Sequence, residues 1–63
     1  MHLNIDEIFL LLNDKDYHIR LSAISILEEI VNNDNLDIIT SKLNDRLKIE
    51  DCSSVIDKIK NFK

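Results

Sequence analysis

Asp14, Asp16 and His18 are the residues whose types and spacing come closest to metal chemistry in this chain. Oxygen and nitrogen ligands at alternate positions of a turn can hold a cation. A calcium loop also needs further oxygen ligands, a glycine at its bend and a closing glutamate, and this chain has no glycine. Neither His18 nor His2 has a zinc-ligand companion at useful spacing. We therefore predict no metal site, and we assign Asp16 to the N-cap of the following helix.

The nucleophilic side chains form no catalytic pattern. Cys52 is the single cysteine, and it falls on the apolar face of a predicted helix, near the helix start. That position favours a thiolate, but no histidine is adjacent, so we interpret Cys52 as a small buried hydrophobe. Ser53 and Ser54 are helix-start residues, and a chain without glycine has no phosphate-binding loop. We predict a protein that is not an enzyme and has no cofactor.

Length and composition limit what else the chain can be. Its 63 residues are 44% hydrophobic and 32% charged, which predicts one globular domain over residues 1–63. Such a domain buries only roughly 60% of its unfolded surface, which leaves little room for a substrate pocket. The longest apolar run, residues 8–12, is much shorter than the ~20 residues of a membrane span. No signal peptide is visible and one cysteine fits a reducing compartment, so we expect an intracellular protein that does not enter a membrane.

The turns must be made by Asn and Asp, because the chain has neither glycine nor proline. These residues tolerate left-handed backbone and hydrogen-bond to their neighbours. They cluster at residues 13–16, at residues 32–35 and, less densely, at residues 50–51. The clusters divide the chain into four segments with helical periodicity.

The four predicted helices span residues 4–12, 16–32, 35–48 and 51–62. Apolar residues recur at about 100° per residue in each, and none alternates strictly as a half-buried strand would. Helix two has the widest apolar arc, with Leu27 near its middle, and this indicates a central helix. The fold class is therefore all-α, with two antiparallel αα-hairpins.

The two halves of the chain, residues 4–33 and 35–62, show weak internal similarity. Aligned with an offset of 31, the phrase Leu12-Asn13-Asp14 matches Leu43-Asn44-Asp45. A period of this length is typical of a helix-turn-helix repeat.

The run of residues 11–30 resembles a HEAT repeat, most closely the short repeats of the phycocyanobilin-lyase type, and the resemblance covers about residues 4–33. The matching positions are Asp14, Asp16, Ile19, Arg20, Ala23, Leu27 and Ile30. The second half is a degenerate repeat or a capping repeat: Asp45 matches the turn, but Asp51 stands where an arginine would follow.

Arg20 lies inside the apolar arc of helix two, where a charge needs a partner. Asp14, in the preceding turn, and Asp45, in the next, are the candidates. The HEAT resemblance implies that Arg20 forms a structural ion pair with such an aspartate, and ligand binding by Arg20 is the alternative.

The overall charge of −4 disfavours direct nucleic-acid binding, which depends on phosphate neutralisation. If such contact occurs, His18, Lys42, Arg46 and Lys48 are the residues to suspect. We expect instead a non-catalytic module that binds another protein, as a small accessory or adaptor subunit. A subunit of a nucleic-acid-processing assembly and a self-assembling homo-oligomer are the alternatives.

The candidate partner-binding residues are apolar side chains without an obvious place in the core. They are Leu3, Leu10, Leu11, Ile38 and Ile49. Leu10 and Leu11 are adjacent and point about 100° apart on a helix, so at least one must face away from the core.

Overall fold

The computed structural model describes residues 4–62. It contains four helices, α1 (Ile5–Leu11), α2 (Tyr17–Ile30), α3 (Leu36–Leu47) and α4 (Ser53–Lys60). Residues 4–62 contain no strand, and the all-α prediction is confirmed. Each helix is one or two residues shorter at each end than predicted, since the predicted spans included the capping residues.

Asn and Asp side chains start the first two helices. The Asn4 side chain accepts a hydrogen bond from the Glu7 N–H at 3.0 Å, which caps α1. The Asp16 side chain accepts from the His18 N–H at 2.9 Å, so the predicted N-cap of α2 is confirmed. Each cap satisfies a backbone donor that has no partner within its helix.

The turn between α2 and α3 depends on two asparagine side chains. Asn32 Oδ1 accepts from the N–H groups of Asp34 and Asn35, at 2.8 and 3.0 Å. Asn35 Oδ1 accepts in return from the Asn32 N–H at 2.7 Å. No residue between 4 and 62 has a positive φ. The turns therefore use the hydrogen-bonding capacity of Asn and Asp and not their tolerance of left-handed backbone.

The helices form two hairpins that lie side by side in the same orientation. α1 packs against α2, α2 against α4, and α3 against α4. Arg20 pairs with Glu50 and Glu28 with Lys58, a separation of 30 residues in both cases, so α2 runs parallel to the segment that contains α4. The short turns within each half then make each hairpin antiparallel.

α1 and α3 also run in the same direction. Lys42 Nζ lies 5.6 Å from the centroid of the Phe9 ring, and Arg46 Nη1 donates to Asn13 Oδ1 at 3.2 Å. Both contacts join residues 33 positions apart, as expected for two parallel helices. The structure thus has two layers, α1 with α3 and α2 with α4.

The core lies between the two layers. Its buried apolar residues are Ile8, Phe9, Leu12, Ala23, Ile24, Leu27, Ile39, Leu43, Val55 and Ile59. α2 provides Ala23, Ile24 and Leu27, all without exposed surface, which confirms its central position. No helix within residues 4–62 has the length and apolar character needed to cross a membrane.

The apolar arc of α2 is less completely covered than its width predicts. Tyr17, Ile19 and Ile30 are exposed, because only α1 and α4 pack closely on this helix. Leu36 of α3 is also exposed. It lines a surface pocket together with Ile59 and Phe62.

Candidate functional site: a groove between α1 and α3

A groove of about 320 Å³ separates α1 from α3 on the surface. Its lining consists of Asp6, Phe9, Leu10, Leu12 and Asn13 on one side and Lys42, Asp45, Arg46 and Ile49 on the other. Apart from Leu12, the lining residues lie at positions 6, 9, 10 and 13 on one wall and at positions 42, 45, 46 and 49 on the other. Successive intervals are three, one and three residues on both walls. That spacing places them on one face of each helix.

The groove has a buried apolar floor and exposed apolar walls. Phe9 and Leu12, at the floor, belong to the core. Leu10 is 75% exposed and Ile49 is 67% exposed, and they stand on opposite walls. The groove therefore holds the two most exposed large apolar side chains in the described part of the chain.

The other predicted partner-binding residues lie elsewhere. Leu11 is half-buried and packs against the core, because the turn of about 100° between neighbours directs Leu11 inwards and Leu10 outwards. Ile38 is 47% exposed but does not line the groove. Leu3 lies outside the described residues.

The charges in the groove balance. Asp6 and Asp45 provide two acids, and Lys42 and Arg46 provide two bases. The Lys42 ammonium group lies over the face of Phe9 at 5.6 Å from the ring centroid, within the range of a cation–π contact.

A buried ion-pair cluster lies beside this groove. Arg20 is 6% exposed, and its partner is Glu50, whose side chain has no exposed surface. Arg20 donates from Nε to Glu50 Oε1 at 3.0 Å and from Nη2 to Glu50 Oε2 at 2.9 Å. This two-point geometry is the strong form of an arginine–carboxylate contact.

Glu50 therefore replaces Asp14 and Asp45 as the main carboxylate partner of Arg20, with the exposed Asp51 carboxylate farther away at 3.9 Å from Nη2, and the predicted pairing is corrected. Asp14 does contact Arg20, but through its backbone carbonyl, which accepts from Nη1 at 2.6 Å. The Asp14 carboxylate instead accepts from the Asp16 N–H at 2.8 Å. Asp45 lines the groove. Arg20 thus forms a structural ion pair, as predicted, but its acidic partner is Glu50.

Glu50 is the residue of this cluster that the sequence did not predict. It also accepts from Arg46 Nε at 2.8 Å and from the Cys52 N–H at 3.0 Å. The spacing of four residues between Arg46 and Glu50 is a helical ion-pair signal that could have identified this acid. Because the acid stands in a turn, composition alone gave no reason to bury it.

Hydrogen bonding decides the protonation of Glu50. Burial alone would raise the pKa of its carboxyl group, but the bonds from Arg20, Arg46 and the Cys52 N–H outweigh burial and hold the pKa below its usual value. The carboxylate is therefore charged, and every buried side-chain nitrogen and oxygen atom in the described chain has a hydrogen-bond partner.

The segment that contains Asp14, Asp16 and His18 forms the N-terminal cap of α2. Asp16 also contacts the His18 ring, with 3.2 Å between Oδ1 and Nδ1. The bond from the His18 backbone N–H lowers the pKa of Asp16. No group of three potential His, Cys, Asp or Glu ligands is close enough to hold a metal ion within residues 4–62.

The contacts of Cys52 are with the core and with the Glu50 cluster. It is half-buried, packs against the core and occupies the N-cap position of α4. Its backbone N–H is one of the donors to Glu50. These contacts fit the small hydrophobe that the sequence predicts.

Two of the basic residues suspected of nucleic-acid contact are engaged with acids. Arg46 pairs with Glu50, and His18 lies against Asp16. Lys42 shares its groove with two aspartates.

Comparisons of the chain with protein-family models, with curated proteins and with solved structures found no match. The contacts and exposed surfaces of the structure are therefore the basis for a functional proposal.

Proposed function

We propose that this chain is a non-catalytic protein-binding module, a small accessory or adaptor subunit, and that it binds through the groove between α1 and α3. The observation that carries the proposal is the exposure of Leu10 and Ile49, at 75% and 67%, on the two walls of one groove. Scattered apolar residues on a surface need no explanation, whereas apolar residues grouped around a concave site are typical of interaction surfaces.

The lining suits a protein partner better than a small substrate. Its apolar floor and walls are combined with four charged side chains, which resembles the apolar core and polar rim of a protein interface. A partner whose apolar side chains cover both walls of the groove would remove Leu10 and Ile49 from water.

We also propose that the two hairpins are HEAT-like repeats. The pairs at separations of 30 and 33 residues bracket the offset of 31 residues in the sequence. A stack of equivalent hairpins has this property, and such stacks bind partners through extended helical surfaces.

The test is capture of partners from the native source by the parent chain and by three variants. We expect Leu10→Lys and Ile49→Lys each to reduce the amount of captured protein by at least about tenfold, because a buried apolar contact is replaced by a charge. Ile38→Lys is the matched control, since Ile38 is exposed but lies outside the groove.

Circular dichroism and thermal melts establish that each variant remains folded. The proposal is overturned if folded Leu10→Lys and Ile49→Lys variants capture the same proteins in the same amounts as the parent, or if Ile38→Lys causes an equal loss.

A further inference from the structure

We propose that the occupant of the groove is a second copy of this chain, with α1 of each copy lying against α3 of the other. This inference rests on the proposed function, because it takes the groove between α1 and α3 as a protein-binding site. It names the partner and predicts a symmetric dimer with two equivalent α1–α3 contacts.

The charges of the two walls are complementary. The acids Asp6 and Glu7 are the charged residues of α1, and Asp6 lines the groove. The opposite wall presents two bases, Lys42 and Arg46, and one acid, Asp45, so its lining is positive on balance. Among the described residues, neither Asp6 nor Lys42 forms an ion pair. The acid of one copy can therefore pair with the lysine of the other.

A two-fold axis along the groove produces this pairing. Such an axis preserves helix direction, and α1 and α3 already run parallel within the chain, with Phe9 at the level of Lys42. Asp6 lies three residues before Phe9, a rise of about 4.5 Å, which a lysine side chain can span. The surface is thus self-complementary, as an isologous interface requires.

The apolar walls provide the attraction. The same axis brings Leu10 and Ile49 of both copies into one interface, so that four exposed apolar side chains are removed from water together. Each contributes in proportion to its buried area. Because every contact occurs twice, a single substitution removes two contacts from the dimer.

The charge of the whole chain favours this surface over others for self-association. Each copy carries a net charge of −4, so two copies repel each other at long range. The groove lining carries two acids and two bases. Its local balance lets two acidic copies approach with less repulsion than an acidic surface would cause.

The test is sedimentation velocity over a range of protein concentrations at low salt. We expect the parent to shift reversibly from monomer to dimer. Asp6→Lys alone and Lys42→Glu alone should each raise the dimer dissociation constant by about tenfold, because each places like charges opposite one another twice. An equimolar mixture of the two variants should recover dimer, since both contacts in the mixed dimer join an acid to a base.

Asp37→Lys is the matched control for Asp6→Lys. Both acids lie in the first turn of a helix, but Asp37 does not line the groove, so this variant should dimerise like the parent. Recovery in the mixture distinguishes contact between chains from a charge effect within one chain. A parent that remains monomeric, a mixture that does not recover, or an equal effect of Asp37→Lys would overturn the proposal.

Failure of this inference and failure of the proposed function give different results. A monomeric parent whose captured partners still depend on Leu10 and Ile49 would exclude the second copy but retain the binding groove. A monomeric parent whose captured partners do not depend on those residues would reject both.

Discussion

At the scale of residues, Arg20 is buried because the helical periodicity places it within the apolar arc of α2. Its place inside the apolar arc of α2 follows from the sequence, and the structure buries it to 6% exposure. Its partner does not follow from periodicity, since Glu50 lies outside the helices, in the segment between α3 and α4. Local helical rules do not describe that segment. Asp14 is near Arg20 as predicted, but its carboxylate is used by the turn and its carbonyl meets the arginine.

Arg20→Ala is expected to destabilise the protein more than Arg20→Met. Both remove one partner of a buried carboxylate, a change that costs about 3–5 kcal/mol when no other partner remains. Arg46 and the Cys52 N–H still hold Glu50, so the cost should lie towards the lower end. Truncation to alanine adds a cavity, whereas methionine fills much of the same volume.

The free energies of unfolding of both variants can be measured in urea. Equal free energies of unfolding for the parent, Arg20→Ala and Arg20→Met would show that Arg20 does not stabilise the fold, contrary to its contacts with Glu50.

At the scale of elements, helix positions are predictable because their ends are fixed locally. Asn4 and Asp16 cap α1 and α2 through neighbouring backbone groups, and such contacts depend on few residues. Which helix faces are covered depends on the neighbouring helices, and Ile19 and Ile30, near the two ends of α2, are exposed although they belong to its apolar arc. The meeting of Leu10 and Ile49 at one groove likewise depends on the parallel arrangement of α1 and α3.

Leu27→Ala should be among the most damaging substitutions in α2. Leu27 has no exposed surface, and truncation of a buried leucine costs about 2–5 kcal/mol. A core in a chain of this size supplies a total of only about 3–5 kcal/mol, so the variant should be largely unfolded at room temperature. Circular dichroism with temperature measures this directly.

Ile30→Ala is the control for Leu27→Ala, because it truncates an aliphatic side chain of the same helix at a position that is 37% exposed. It should melt close to the parent. A cooperative melt of Leu27→Ala within a few degrees of the parent would contradict the central role of α2.

At the scale of the whole molecule, the Glu50 cluster joins the two hairpins. Arg20 comes from α2, Arg46 from α3, and Glu50 from the segment that leads into α4. The internal offset of 31 residues indicates two equivalent halves, but it places Asp51 opposite Arg20 in the alignment and gives no sign that Glu50 joins them. The contact between the two hairpins involves a residue of the second half, Glu50, that has no acidic counterpart in the first half.

The cluster predicts a loss of stability in acid. The pKa of Glu50 is below its usual value in the folded protein, so as pH falls the unfolded chain takes up this proton first. The contribution of Glu50 to the free energy of unfolding is therefore complete above the ordinary glutamate pKa of about 4.3. It is lost as the pH falls towards the lower pKa that Glu50 has in the folded protein. The slope of the unfolding free energy from this one group cannot exceed about 1.4 kcal/mol per pH unit.

Urea unfolding between pH 7 and pH 3 measures this contribution, and two variants isolate it. Glu29→Gln removes an exposed carboxylate and should keep the acid-dependent loss of the parent. Glu50→Gln leaves two arginines around a neutral amide and should be destabilised at pH 7. The double variant Arg20→Met, Glu50→Gln removes one of those arginines, should be more stable than Glu50→Gln alone and should show a flatter dependence below about pH 4.5. If the folded double variant lost stability in acid as steeply as the parent, carboxylates other than Glu50 would govern acid unfolding.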